Sequence, residues 1–439
     1  MLKELTNNIR DLLAVKKAFG VIRKVDKDTI PMLIGLIVSQ LITFAALPAI
    51  SKLYTPEENG VLGIFIGVVN LLLIPSFGKF DGVIFKLQDR NQLKSVLWLC
   101  LFVLFSIFVI LLTALAIYIF VSTGPDLILP SHTLINIPIH LMFSAILSLL
   151  LNIIIYDGGL KWVVKINVSV AAFSAIAKIL FGYLEFGSSG LIYVAIIGTA
   201  VGVGIGAAYI FTKLECPIGF PGFESIRKTA WTNRDFPMYA ILHAYMDSLR
   251  TELIVMLIAY FYGKSQVGLY LLASSIVMAP MGLVTGSIAQ IYVKRAGQEI
   301  RCSGNLFKLS KDTLLLATLM SIAIGVPIML FKNLLFNKIF ATQWLEAGLL
   351  VTPIVLAGSV RSVNSVISTL PSLVGRQRDF LIACAGLNIV PAVIISTFGL
   401  MKSDFKDALF VSSLLQMILS ILLSRWLINL SKNQLQISQ

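Results

Sequence analysis

The sequence predicts an all-α, polytopic membrane protein of twelve transmembrane helices with both termini cytoplasmic. Three observations carry that prediction. The first is composition: of 439 residues, 57% are hydrophobic and only 13% charged, with a mean hydropathy of +0.90, which no water-soluble domain requires. The second is periodicity of another kind, since twelve apolar windows begin near residues 30, 61, 95, 134, 162, 190, 237, 268, 311, 347, 379 and 407. Each is close to the roughly 20 residues that span a bilayer core. The third is charge placement: with the N-terminus inside, 26 Lys/Arg fall in the inner segments, 6 in the outer ones and 3 within spans. That bias is the positive-inside signature, so the net charge of +13 reports orientation rather than nucleic-acid binding.

In chain order, residues 1–29 hold seven Lys/Arg and four acids and read as an amphipathic cytoplasmic-surface helix (Leu5, Ile9, Leu12, Leu13, Lys16, Lys17) leading into the first span. The first apolar run exceeds a signal-peptide core and lacks a small-residue cleavage site, so no processing is expected. An N-terminal lobe of six spans follows (30–212), then a cytoplasmic connection (213–236), a C-terminal lobe of six spans (237–430) and a short cytoplasmic tail (431–439). The connections are too short to hold a soluble domain. Four cysteines, Cys100, Cys216, Cys302 and Cys384, are scattered and suggest neither disulfides nor a metal site.

The lobes read as repeats. A shift of 208 residues superposes LYTPEENGVLG (53–63) on FYGKSQVGLYL (261–271), matching Tyr54 with Tyr262 and Gly60 with Gly268. The same shift pairs Gly78 with Gly286 and Lys86 with Lys294. Four identities are few, but each pair falls at one place relative to its span. Six spans per repeat is an even number, so the halves share one orientation about an axis along the membrane normal, and they should enclose a central cavity.

Charge inside a span costs roughly 2.5–3.5 kcal/mol on insertion scales and marks candidate sites. In the seventh span, Tyr239, His243, Asp247 and Arg250 share one helical stripe, with Asp247 and Arg250 spaced for an i,i+3 ion pair, while Glu252 points to the opposite side. Arg361 continues along Asn364, Ser365 and Ser368 in the tenth span. Lys178 aligns with Asn167, Ser174 and Glu185 in the fifth and either faces a cavity or snorkels to the outer headgroups. Arg250, Arg361, Lys178 and Asn364 are the candidate cavity residues for an anionic ligand, because a guanidinium matches phosphate oxygens with paired hydrogen bonds. Asp247, His243 and Glu252 are candidates for ion pairing or proton coupling. Lys79 and Asp81, in the run GKFDG closing the second span, are candidate cytoplasmic gate residues or interface anchors, and Asp157 reads as an interface residue. Pro75, Pro280 and Pro327, with Gly63, Gly67, Gly282 and Gly286, permit kinks and close helix approach.

Enzyme signatures are missing. No GxSxG, HExxH, P-loop or metal-ligand cluster occurs, so no catalytic activity and no cofactor is expected, and transport would draw on an ion gradient, the membrane potential or the cargo's own gradient.

The runs KLYTPEENGVLGIF and SFGKFDGVIF resemble the start of the lipid-linked oligosaccharide flippases of O-antigen and capsule biosynthesis (Wzx-type). These form the polysaccharide-transporter branch of the multidrug/oligosaccharidyl-lipid/polysaccharide superfamily. DFPMY (235–239), VGLYLLA (267–273), AQIYVKRAG (289–297), QWLEAG (343–348) and LVGRQ (373–377) agree with that resemblance. It implies a two-lobed, MATE-like fold in a bacterial inner membrane. It also implies alternating access that passes an undecaprenyl-diphosphate-linked oligosaccharide, an O-antigen or capsule repeat unit, from the cytoplasmic to the outer leaflet. Lipopolysaccharide assembly proteins such as a polymerase would be partners, and proton or sodium would be the coupling ion. Lys79, Phe80 and Asp81 match the family's basic-aromatic-acidic triplet, with Lys where Arg is usual. A multidrug or cation antiporter and a membrane glycan polymerase or ligase are the rivals. The outer connection 122–133, about a dozen residues without Lys or Arg, is short for the polymerase or ligase.

Overall fold

The computed structural model describes residues 29–87, 90–121, 131–213, 219–301 and 306–437; within these, some helix side chains, including those at 235–240, 243, 246, 247, 249 and 250, lie outside the description. The expected amphipathic segment up to residue 28, Cys216, Cys302 and most of the 122–133 connection also lie outside the described residues. All regular structure described is helical. Twelve long helices, numbered here in chain order, are α1 Thr29–Leu53, α2 Pro56–Leu73, α3 Arg90–Val121, α4 Asn136–Tyr156, α5 Leu160–Tyr183 and α6 Gly187–Lys213, followed by α7 Asp235–Tyr262, α8 Lys264–Arg301, α9 Leu306–Leu334, α10 Ala347–Val366, α11 Gln377–Leu400 and α12 Phe405–Ile437. Among the described residues, eleven candidate spans are long and apolar enough to cross a membrane; α7 contributes the shorter apolar stretch Thr251–Tyr262.

By internal contacts the chain forms two compact units, Ile34–Gly268 and another from Leu269 onward, with the boundary one turn into α8. In the first unit, α2 packs on α4, α6 and α7, and α6 packs on α4 and α5. In the second, α10 packs between α9 and α12, which also holds α11. Tyr292, Leu314, Val363, Ile367 and Leu427 form the core there, with the Tyr292 and Ser310 hydroxyls 2.8 Å apart. Trp344 and Ala347 of the QWLEAG run are buried beside that packing, and Gly348 lies against the Phe336 ring.

The α1–α2 corner explains its sequence letter by letter. Thr55 caps α2: its hydroxyl accepts from the Glu58 amide at 3.2 Å, and the Glu58 carboxylate accepts from the Thr55 amide at 2.7 Å. This is a capping box, with Pro56 in the first turn, where its missing N–H is harmless, and Glu57 and Glu58 at the positive helix end. Tyr54, 1% exposed, donates from its hydroxyl to the Lys178 carbonyl at 2.8 Å and so fixes the corner to α5. Burial and the nearby Glu58 carboxylate push the Tyr54 phenol up to about 12.

Gly60 and Gly268 require the absence of a side chain. A Cβ on Gly60 would lie 1.8 Å from the Lys264 carbonyl oxygen, and one on Gly268 would lie 1.8 Å from that of Pro56. Pro56 and Lys264, like Gly60 and Gly268, are 208 residues apart, so the contact is reciprocal under the offset read from sequence. The two helices thus meet with local two-fold symmetry at paired glycines. Gly282 and Gly286 differ from expectation, because nothing lies within 4 Å of a Cβ at either; they mediate no close approach.

Rigid backbone opposes a methyl group at Gly60 and Gly268, whereas Gly286 offers open space. Gly268→Ala is expected to destabilise the purified protein by about 3 kcal/mol or more through overpacking, while Gly286→Ala gains up to about 1 kcal/mol in helix propensity. Thermal unfolding in one detergent, followed by helical circular dichroism, checks the contrast; equal midpoints would refute the contact.

Candidate functional site

Sequence places Lys79 and Asp81 just after α2, and the local backbone decides where they point. After Leu73 the chain turns through Ile74–Lys79 and enters a 3₁₀ segment, Phe80–Lys86. Gly78 and Lys79 both adopt left-handed conformations, with φ of 55° and 58°. For lysine this region is uncommon and must be held by its surroundings. The anchor is apolar: Phe77, Phe80, Val83 and Ile84 bury against Leu93, Val96, Leu99 and Cys100 of α3 and Ala145, Leu149 and Ile153 of α4. The turn closes on itself through Gly78 N–H to Pro75 O at 2.7 Å and Phe80 N–H to Phe77 O at 3.0 Å. With those side chains anchored, Lys79 and Asp81 face a cavity of about 280 Å³.

Four elements line this cavity within the first unit. Asn70 comes from α2, Lys79 and Asp81 from the turn, Ser148 from α4, and Ser248 and Glu252 from α7, against an apolar wall of Leu73, Ile74 and Phe77. Asn70 Nδ2 donates to Glu252 Oε1 at 3.0 Å, and Asn152 Nδ2 donates to Asp81 Oδ2 at 3.1 Å. Among the described residues the ionisable lining is therefore two carboxylates and one ammonium group, each carboxylate holding one amide donor. A small cation or a proton suits such a surplus of carboxylate oxygen, and a diphosphate does not.

The other candidates are distributed. Arg361 on α10 donates from its guanidinium to the Met278 sulfur of α8 at 3.3 Å, and the end of that Met278 side chain lies over Gly358. Asn364 is 6% exposed, and both ends of its amide are engaged with α12: Nδ2 donates to the Ser420 carbonyl at 2.7 Å, and Oδ1 accepts from the Ser424 hydroxyl at 2.5 Å. Asn364 is thus a helix–helix lock. Lys178 is half-buried on α5, and among the described residues no hydrogen bond or ion pair engages its ammonium group. Asp157 accepts from the Tyr209 hydroxyl at 2.5 Å. The side chains of His243, Asp247 and Arg250 lie outside the described residues, although their backbone belongs to α7. Among the described residues no cluster of His, Cys, Asp and Glu could hold a metal ion.

Among the described side chains of α7, Glu252, read from sequence as the outlier of its span, is an acid that lines the cavity together with Lys79 and Asp81. Ser148 and Asn152, which the sequence reading passed over, are four residues apart on one face of α4, a spacing that could have marked a polar strip there.

Residues 49–348, more than half of the chain, match the polysaccharide biosynthesis protein family. The chain belongs to that family. No curated protein sequence is similar enough to count as a match. Among solved structures, the lipid II flippase MurJ in an inward closed conformation is similar with a TM-score of 0.67 at 13% identity, over 93% of this chain and 90% of that one. An inward-facing multidrug resistance MATE transporter of the MOP superfamily has a TM-score of 0.66 at 14% identity, covering 91% of this chain and 99% of that one. A Vibrio cholerae MATE transporter gives 0.53 at 13% identity, over 96% and 98%. At such identities the likeness establishes the MATE-like fold of this family member, as the resemblance implied.

Asn152 has a measurable consequence. Asn152→Ala leaves the half-buried Asp81 carboxylate without its amide donor and is expected to cost about 1–3 kcal/mol. Thermal unfolding of the detergent-purified variant reads this, and Asp81→Asn in the same background should restore most of the loss. No loss in the single variant would mean that the pair carries no stability.

Proposed function

We propose that the protein is a flippase that carries an undecaprenyl-diphosphate-linked oligosaccharide, an O-antigen or capsule repeat unit, from the cytoplasmic to the outer leaflet of a bacterial inner membrane. The observation that carries the proposal is the family match over residues 49–348, in a chain whose apolar helices hold a polar, charged cavity. A glycan with a diphosphate cannot cross hydrocarbon unaided, because stripping water from charge and hydroxyls without replacement partners is prohibitive. Fixed polar groups among the apolar helices lower that barrier while the polyprenyl tail stays in lipid.

In this reading the work is divided. Arg250 and Arg361 hold the diphosphate or acidic sugars, with Lys178 as a further cation. Glu252 and Asp81 bind the coupling proton or sodium ion, whose charge offsets the surplus carboxylate beside Lys79. Asp247, with His243 one turn before it, pairs with Arg250 and releases it as cargo arrives. The protein is a transporter and catalyses no covalent step. A cation antiporter is the second reading, and the carboxylate surplus of the cavity is the observation that favours it.

Translocation of a lipid-linked oligosaccharide in proteoliposomes decides between the two. Arg250→Ala and Arg361→Ala are each expected to slow flipping by roughly tenfold or more, the scale of one lost charge-assisted hydrogen bond. Wild-type rates in both variants would remove the diphosphate assignment, and cation efflux without glycan movement would establish the antiporter.

A separate measurement addresses coupling. Glu252→Gln keeps the side-chain shape and a hydrogen-bonding partner for Asn70 but cannot take up a proton. Flipping by this variant is expected to lose its acceleration by an imposed pH or sodium gradient while keeping its gradient-free rate. Undiminished acceleration would exclude Glu252 as the coupling group.

A further inference from the structure

The connection between α6 and α7 holds a surface helix, Phe223–Thr232, whose two faces differ sharply. Ile226 and Ala230 pack on the cluster formed by α3, α4 and the 3₁₀ segment, and the Ser225 hydroxyl lies 2.7 Å from that of Ser95 on α3. Phe220 reinforces the seat, with its ring edge-on to Trp98 of α3 and 5.0 Å from Phe223. The outward face carries Arg227 and Trp231 at four-residue spacing, with Glu224 and Lys228 beside them and Phe223 at its edge. Phe223 is 75% and Trp231 70% exposed, and the Arg234 guanidinium stacks 4.8 Å over the Trp231 ring. From 223 to 234 there are three cations and one acid, Glu224.

A face alternating aromatic rings and cations is poorly suited to water and too charged for hydrocarbon. Phenylalanine and tryptophan at the ends, with arginine and lysine between, match the boundary layer of a bilayer, where rings sit among acyl carbonyls and cations meet phosphates. We infer that this face is a docking surface for the anionic phospholipid headgroups of the adjoining leaflet, held by Arg227, Lys228 and Arg234 and seated by Phe223 and Trp231. Positive-inside placement puts the connection on the leaflet where such lipids attract basic segments. The inner face rests on the residues that anchor the Lys79–Asp81 turn, so headgroup binding braces the wall of the cavity. The inference is independent of which cargo the protein carries.

Trp231 is one of five tryptophans, so the emission difference between the full-length protein and its Trp231→Phe variant, both in nanodiscs, isolates its signal. In discs of mixed phosphatidylglycerol and phosphatidylcholine, bromine is placed on the acyl chains of one lipid or the other. Brominated phosphatidylglycerol is expected to quench the Trp231 signal at least about twofold more than brominated phosphatidylcholine at equal content. Arg227→Ala and Lys228→Ala should each bring that ratio toward one, whereas exchanging the two residues, Arg227→Lys with Lys228→Arg, should preserve it. Equal quenching by both lipids, an unchanged preference in the alanine variants, or a Trp231 signal open to aqueous iodide and blind to bromine would each overturn the proposal.

Discussion

The first unit is organised by the need to keep Asp81 and Glu252 solvated among apolar helices. An unpaired carboxylate away from water is costly enough that it would change protonation or pull the structure apart. Here each takes one amide donor, Asp81 from Asn152 and Glu252 from Asn70, and Lys79 lines the same cavity. Those partners come from four elements, so the helices α2, α4 and α7 and the turn after α2 must hold one arrangement. The left-handed backbone at Lys79 follows from this. A regular continuation of α2 would aim Lys79 and Asp81 about 200° apart, on opposite sides of the helix, and only the bend brings both to one wall. The apolar side chains of Phe77, Phe80, Val83 and Ile84 hold the bend in place.

Hydropathy made the helices legible because a span is a long-range average, insensitive to single residues. Its starts were less so. α2 begins at Pro56, five residues before the apolar window near 61, because Thr55 and Glu58 form a cap whose first turn is acidic. The spacing of threonine and glutamate in TPEE was readable as that cap, yet a hydropathy window averages it away. The repeat offset paired Gly60 with Gly268 as equivalent positions, but that the two meet at a local two-fold comes from the packing. The open surroundings of Gly282 and Gly286 were not legible either, because composition cannot tell a glycine that admits a neighbouring backbone from one that faces open space.

The cavity was the least legible feature. Lys79 and Asp81 lie in a turn, where helical phase says nothing about direction, and Glu252 meets Asn70 across 182 residues of sequence. Phase on α7 set Glu252 apart from the stripe expected for Asp247 and Arg250, but it could not say which neighbour Glu252 faced. On α10, the same reasoning put Asn364 on a polar stripe with Arg361. Burial divides that stripe: Ser365 is exposed, whereas Asn364 is consumed by α12. Periodicity identifies a face, and only packing tells whether that face meets water or another helix.

The sign of the cavity bears on how a flippase of this kind would divide its tasks. The described lining, two carboxylates and one lysine, disfavours a diphosphate, so on the proposed reading the anionic end of the cargo is held by the guanidinium groups of α7 and α10. Coupling then has a structural route that needs no direct contact between ion and cargo. Ser248 and Glu252, which line the cavity, and Arg250, assigned to the cargo, are carried by the same two turns of α7. A cation entering beside Glu252 relieves the repulsion between the two carboxylates and thereby favours one position of that helix, while a phosphate at Arg250 favours one position of the same helix by a different contact. Because both ligands bias one rigid element, each alters the affinity of the other by the same factor, which is what thermodynamic linkage demands of a gradient-driven transporter.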